Sequence, residues 1–337
     1  MKRLILITII AYSVSLISCT TDENTNLGNG NNDINNENVP NNEIIQFEDS
    51  SVKKLCVTMW DTNNDNNLSF GEAKAVQTLG TVFYKNNNIR KFNELKYFTS
   101  LTDIDSETFY GCSNLTEIAL PTSIRSIGDY AFYRTYVKSI TIPNGVEYIG
   151  ESAFNSSPLQ QITLPNSVSQ IGAYAFASTQ LEQITLPNKV TKIARYCFYE
   201  TPLTSINLPD AITEIEECAF ANTPLNHLKL PKNLTTIGDY AFKSPSRYTE
   251  RFQTIEIPAS VHTIGYGIFI MDESDDSYNQ FPPLMIYCKA NKPPKFVNGE
   301  ELGDGIEKIF VPSQSINEYK KSTGWRMYSD IIEGYNY

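Results

Sequence analysis

The sequence predicts an α/β repeat fold, a solenoid of 22-residue coils preceded by a small helical module. Three observations predict it. Prolines recur every 22 residues, at Pro121, Pro143, Pro165, Pro187, Pro209 and Pro231. A phenylalanine follows each by eleven residues, at Phe132, Phe154, Phe176, Phe198, Phe220 and Phe242. Just before each proline, apolar residues alternate as on a short strand with one buried face, as in Ile118-x-Leu120 and Ile162-x-Leu164. Such a unit cannot bury its apolar face alone, so neighbouring coils bury it.

At the N-terminus, Lys2 and Arg3 precede an apolar run from Leu4 to about Ile17. Residues 1–18 therefore read as a signal peptide, too short to span a membrane. Leu16-Ile17-Ser18-Cys19 resembles a bacterial lipobox. That resemblance implies cleavage before Cys19 and acylation of its thiol. The other reading is an ordinary signal peptide with a cysteine by chance. Thr20-Thr21-Asp22-Glu23 resembles the short acidic signal that sends some lipoproteins to the outer face of the outer membrane. Residues 19–46 are dominated by Asn, with few apolar groups, and read as a flexible tether.

Residues 47–80 have helical spacing. Val52, Leu55, Cys56 and Met59 share one face, after an Asp49-Ser50 start that offers capping oxygens. The stretch from Asp61 to Glu72 resembles a twelve-residue EF-hand loop. Asp61, Asn63 and Asp65 stand at positions one, three and five. Asn67 offers its carbonyl, Ser69 is at nine, and Glu72 is the bidentate twelfth residue. Asn66 replaces the usual glycine, and asparagine tolerates a left-handed backbone better than most residues. The resemblance implies one calcium ion. The alternative is an Asn-rich loop between two helices. Three carboxylates suit the modest affinity of sites outside the cell.

Residues 81–120 read as an N-terminal cap and first repeat, since an open coil would expose its core. Residues 121–285 form the regular solenoid. There the proline ends the ladder because it has no N–H to donate. Gly128, Gly150, Gly172, Gly238 and Gly265 are expected at a corner with an unusual backbone angle, although Ala194 and Glu216 break that column. The phenylalanines should stack at about the 4.8 Å spacing of hydrogen-bonded strands. Pro258 and Phe269 repeat the pair after a gap of 27 residues. Insertions at 244–252 and 271–285 interrupt the rhythm and are open as solvated or binding loops. Residues 286–337 read as a C-terminal cap: a strand ending at Pro312, a helix, and Trp325.

The pattern L-x-x-I-x-L-P-x-x-V-x-x-I-G-x-x-A-F, clear from Leu159 to Phe176, resembles the leucine-rich repeats of BspA-like bacterial surface proteins. The resemblance implies a leucine-rich-repeat solenoid of the BspA-like kind, behind an EF-hand-like module. It also implies a surface role in adhesion. The usual asparagine after the strand is absent, since that column reads Ser123, Gly145, Ser167, Lys189, Ala211 and Asn233. Horseshoe curvature therefore does not follow.

The formal net charge is −11, and loss of Lys2 and Arg3 makes it more negative. That disfavours nucleic acid and anionic lipid as partners. His227 and His262 sit in different columns, and no nucleophile–base constellation is recognisable. The chain is expected to be non-catalytic. Cys56, Cys112, Cys197, Cys218 and Cys288 read as buried thiols, with a Cys197–Cys218 bridge open but disfavoured by their columns. Recognition is expected on the exposed strand columns, at Ser139, Thr141, Gln161, Thr163, Gln183, Thr185 and toward Lys229. These columns contain no Trp or Tyr and nothing apolar. The leading function is a monomeric, surface-anchored binder of a host or matrix protein, touching the membrane only through its lipid. A glycan-binding accessory of nutrient uptake and a structural spacer are the alternatives.

Overall fold

The computed structural model describes residues 40–244, 253–271 and 283–336. The signal peptide, Cys19, the tether up to residue 39, and residues 245–252 and 272–282 of the two insertions lie outside the described residues. Among the described residues, no helix is long and apolar enough to cross a membrane.

The chain winds into a parallel β-solenoid of about ten turns. Most turns contribute to two ladders. The first ladder holds the strands that precede the prolines. Ser139–Thr141 pairs with Gln161–Thr163, and Ser205–Asn207 pairs with His227–Lys229. The second ladder places Ile127 on Ile149 on Ile171, and later Ile215 between Ile193 and Ile237. Among the described residues, the strands of both ladders pair in parallel because each coil returns to the same edge in the same direction. The strands are short because proline ends them. Each proline carbonyl then accepts from the amide three residues on, as Pro165 does from Val168 at 3.1 Å.

The phenylalanine spine forms as expected and is longer than the regular repeats. Phe83, Phe109, Phe132, Phe154, Phe176, Phe198, Phe220, Phe242 and Phe269 are all buried. From Phe109 onward, consecutive centroids lie 5.3–5.9 Å apart with planes within 17°. The separation exceeds the strand spacing, as it must when rings slide to offset their quadrupoles. Beside the spine runs a buried hydroxyl ladder that the sequence analysis missed. Thr135, Ser157, Thr179, Thr201 and Thr223 each donate to the carbonyl of the phenylalanine three residues before. At Phe132, Phe154, Phe198 and Phe220 the same carbonyl also accepts the amide of the hydroxyl residue, so the hydroxyl finds its own buried partner there and adds a second bond to the turn.

The glycine column has a different cause from the one expected. None of Gly128, Gly150, Gly172, Gly238 and Gly265 has positive φ. Left-handed residues come two positions later, at Tyr130, Ser152, Tyr174, Tyr196, Cys218, Tyr240 and Gly267, and in a second column at Arg134, Ser156, Ser178, Glu200 and Asn222. The glycines are needed for close approach instead. A Cβ on Gly150 would stand 2.5 Å from the Asp129 nitrogen and 2.6 Å from the Gly128 carbonyl carbon.

Two boundaries also differ. Residues 40–46, expected in the flexible tether, are tied to the helical module. Ile45 is fully buried and donates its amide to the Leu68 carbonyl at 2.9 Å, while Phe70 donates to Glu43. The apolar pair Ile44-Ile45 supplies the surface that makes ordering favourable. At the other end, the region expected to be only a cap continues the first ladder. Thr254–Ile257, Leu284–Cys288, Ile306–Pro312 and Ile332–Tyr335 form one parallel sheet. A short helix, Ile316–Lys321, and Trp325 close that end, with the indole N–H donating to the Pro294 carbonyl at 2.8 Å.

Candidate functional site: an acidic loop and an exposed strand face

Helix α1, Ser50–Trp60, starts where the Asp49 carboxylate accepts from the Ser51 and Val52 amides. Helix α2, Phe70–Ala75, starts with a capping box between Ser69 and Glu72. The twelve residues between Asp61 and Glu72 fold into nested turns, each closed by one side chain. Asp61 accepts from the Asn64 and Asn66 amides at 2.8 and 2.9 Å. Asn63 accepts from Asp65, and Asp65 from Asn67. Asn64 and Asn66 take φ near +60°, so the asparagine at the glycine position adopts the conformation required of it.

Glu72 sits across this loop. Its Oε1 accepts from the Thr62 amide at 2.8 Å and the Thr62 hydroxyl at 2.9 Å, and its Oε2 from Ser69. Burial pushes the Glu72 carboxyl up, but the Ser69 and Thr62 hydrogen bonds outweigh it and hold the group down at about 2. Asp61, Asn63, Asp65, Ser69 and Glu72 thus share one loop, and Asn67 lies within it. Asn63, Asp65, Ser69 and Glu72 line one shallow cavity of about 550 Å³. Each carboxylate is turned to loop amides. Among the described residues, no three His, Cys, Asp or Glu side chains converge as a metal cluster.

On the first ladder, Ser139, Thr141, Gln161 and Thr163 stand exposed and in register. Together with Glu117 and Thr122 they line a groove of about 550 Å³. Gln183 and Thr185 continue the columns, but the ladder there is reduced to one bridge between Thr185 and Asn207. Lys229 is exposed two coils further on.

A family model described as the BspA type leucine rich repeat region matches residues 77–201 and 191–276. The chain belongs to this family. Similar solved structures include a leucine-rich repeat protein from Bacteroides ovatus ATCC 8483. It is 18% identical, with a TM-score of 0.47, over 81% of this chain and 89% of that one. A leucine-rich cell surface protein from Faecalibacterium prausnitzii A2-165 is 19% identical over 71% of this chain and 58% of that one, with a TM-score of 0.34. The pneumococcal vaccine antigen PcpA is 20% identical over 71% and 78%, with a TM-score of 0.33. No curated protein matches.

The BspA-type frame makes departures from the repeat visible. Beyond the columns read from the sequence, which hold no Trp or Tyr, the strand face carries aromatic residues in the irregular last turns. Tyr287 stacks on Phe310 at 4.7 Å in register, and Tyr335 meets Tyr287 edge-on at 5.3 Å. The signal was present in the alternation of Leu284–Cys288 and Ile306–Pro312, but longer turns hid which column each residue occupied. A second departure is Tyr136. Its column reads Asn114, Tyr136, Pro158, Gln180, Pro202, Pro224, and it is 52% exposed.

All five described cysteines are free and buried, so no Cys197–Cys218 bridge forms. Burial pushes the Cys112 thiol up to about 12 and Cys288 up to about 11, and raises Cys56 and Cys197 as well. Thiols held protonated this way are poor nucleophiles.

Proposed function

We propose that this BspA-type chain is a non-catalytic binding protein, held on the cell surface by a lipid on Cys19. It acts as a monomer and engages a protein of the host or matrix through the exposed strand face. The observation that carries the reading is the groove over Ser139, Thr141, Gln161 and Thr163. Its side chains stand on laddered backbone, so a partner loses little entropy in ordering them. The aromatic group of Tyr287, Phe310 and Tyr335 adds apolar area at the far end of the same face, where a hot spot would form. Display of many copies on one cell would strengthen a weak contact.

The acidic loop suits one calcium ion. Its donors are all hard oxygens, and Asn66 already has the left-handed backbone that such a loop demands. Asp61, Asn63, Asp65, Ser69, Glu72 and the Asn67 carbonyl would hold the ion. Glu72 would have to exchange its Thr62 hydrogen bonds for the metal. The ion would cancel the repulsion among three carboxylates and fix the module at the solenoid's N-terminal end.

The full chain probed against host and matrix proteins tests the function. Replacing Gln161, Thr163, Gln183 and Thr185 with lysine should leave the melting curve intact and abolish capture. Capture that survives in this variant removes the strand face as the site.

A further inference from the structure

A second cleft adjoins the strand-face groove through Thr116, which lines both. It measures about 290 Å³ and is lined by Arg90, Lys91, Ser113, Asn114, Thr116 and Tyr136. Repeat architecture explains Ser113, Asn114 and Thr116, whose backbone or side chains bond to the preceding coil. It does not explain Tyr136. The neighbouring positions of that column are proline, glutamine and asparagine, and its ring packs on no other aromatic among the described residues. An aromatic residue left half in water on a rigid coil has its ring available to a ligand.

The charge of the cleft is equally out of keeping with an acidic chain. Lys91 is paired with Glu117 at 2.9 Å. Arg90 is exposed, and its guanidinium makes no ion pair among the described residues. Lys138 follows Thr116 by one repeat in the same column and is likewise unpaired. A guanidinium and an aromatic ring lining one cleft match a planar carboxylate on a hydroxylated ring. The Ser113, Asn114 and Thr116 side chains each donate to the preceding coil, which leaves the two hydroxyls only acceptors for a ligand. An extended acidic peptide fits less well. Its anchoring side chains would need several pockets along an extended backbone, and the cleft is a single one of about 290 Å³.

We propose that the Arg90–Tyr136 cleft binds a carboxylated saccharide, with Tyr136 stacking on the sugar ring and Arg90 pairing with the carboxylate. The proposal is independent of the protein partner on the strand face, and its test uses no host or matrix protein, so the two can fail separately. The full chain is titrated calorimetrically at physiological salt with an oligomer of galacturonic acid, with the neutral galactose oligomer, and with poly-glutamate. The acidic oligomer should bind and the neutral one should bind at least about tenfold more weakly, the size of one lost charge-assisted pair. Tyr136→Ala should weaken the acidic oligomer about tenfold and Tyr136→Phe should restore it, while Arg90→Ala should erase the preference for the acid. Both positions are exposed, so unchanged melting curves check the fold. No binding of the acidic oligomer, equal binding of the neutral one, or poly-glutamate binding with the same dependence on Tyr136 and Arg90 would each overturn the proposal.

Discussion

Phe176→Ala removes the ring at the centre of the spine. Phe176 is fully buried and lies 5.7 Å from both Phe154 and Phe198, with planes at 4° and 11°. The lost transfer free energy is roughly 1.5–3 kcal/mol. Two stacking contacts add about 0.5–1.5 kcal/mol each where they are fully formed. The backbone on either side cannot collapse into the gap, because the Phe176 amide donates to Cys197 and the Phe154 amide to Ala175. A cavity therefore remains, and the total should fall at about 3–5 kcal/mol, as for other large-to-small changes in cores. For a domain of this size each kcal/mol lowers the midpoint by roughly 2 °C, so melting should begin about 6–10 °C earlier. Differential scanning calorimetry reads the shift, and hydrogen exchange should show the loss centred on the two neighbouring coils. A shift below about 2 °C would refute a close-packed spine, whatever the sequence period.

Other expectations follow from single features. Gly150→Ala should destabilise by about 1–3 kcal/mol in urea unfolding, because its Cβ would meet backbone rather than a movable side chain; an unchanged midpoint would show that the coils can separate. Calcium should raise the melting temperature of the wild type and barely move Glu72→Ala, since an ion that binds only the folded state stabilises it; identical responses in both proteins would remove the loop as a site. The Glu72 carboxyl, held down at about 2 against an ordinary 4.5, should stabilise the module above pH 4.5 and lose that contribution as pH falls toward 2; a module whose helical signal is flat across that window would contradict the hydrogen bonding described. Cys19→Ala should release the protein from the membrane fraction, and a wild type that takes up no labelled fatty acid would exclude the anchor.

The solenoid was legible because its rules repeat. Proline and phenylalanine columns fix the coil length, and one slip of register would misplace every ring. What a column is for was less legible. The glycines were expected for an unusual backbone angle, and only neighbouring-coil atoms, such as Asp129 against Gly150, show that close approach is what requires them. The same limit applied to the last turns. Once the period lengthens beyond Pro258, alignment no longer assigns Tyr287 or Phe310 to a face. The turns of the acidic loop were legible in its spacing, because Asp61, Asn63 and Asp65 each close one. Its link to Ile44-Ile45 was not, since two isoleucines at the end of an Asn-rich run give no hint of where they dock.

That link has a mechanical consequence. The chain enters the folded unit through Asn41, Glu43 and Ile45, which bond to Gly71, Phe70 and Leu68 of the acidic loop. Any pull on the chain ahead of Pro40 reaches these three hydrogen bonds before it reaches the solenoid. The stacked coils lie behind them, braced by their spine. A pull from that side would have to part these three bonds and uncover Ile45 before residues 40–46 could peel away from the loop.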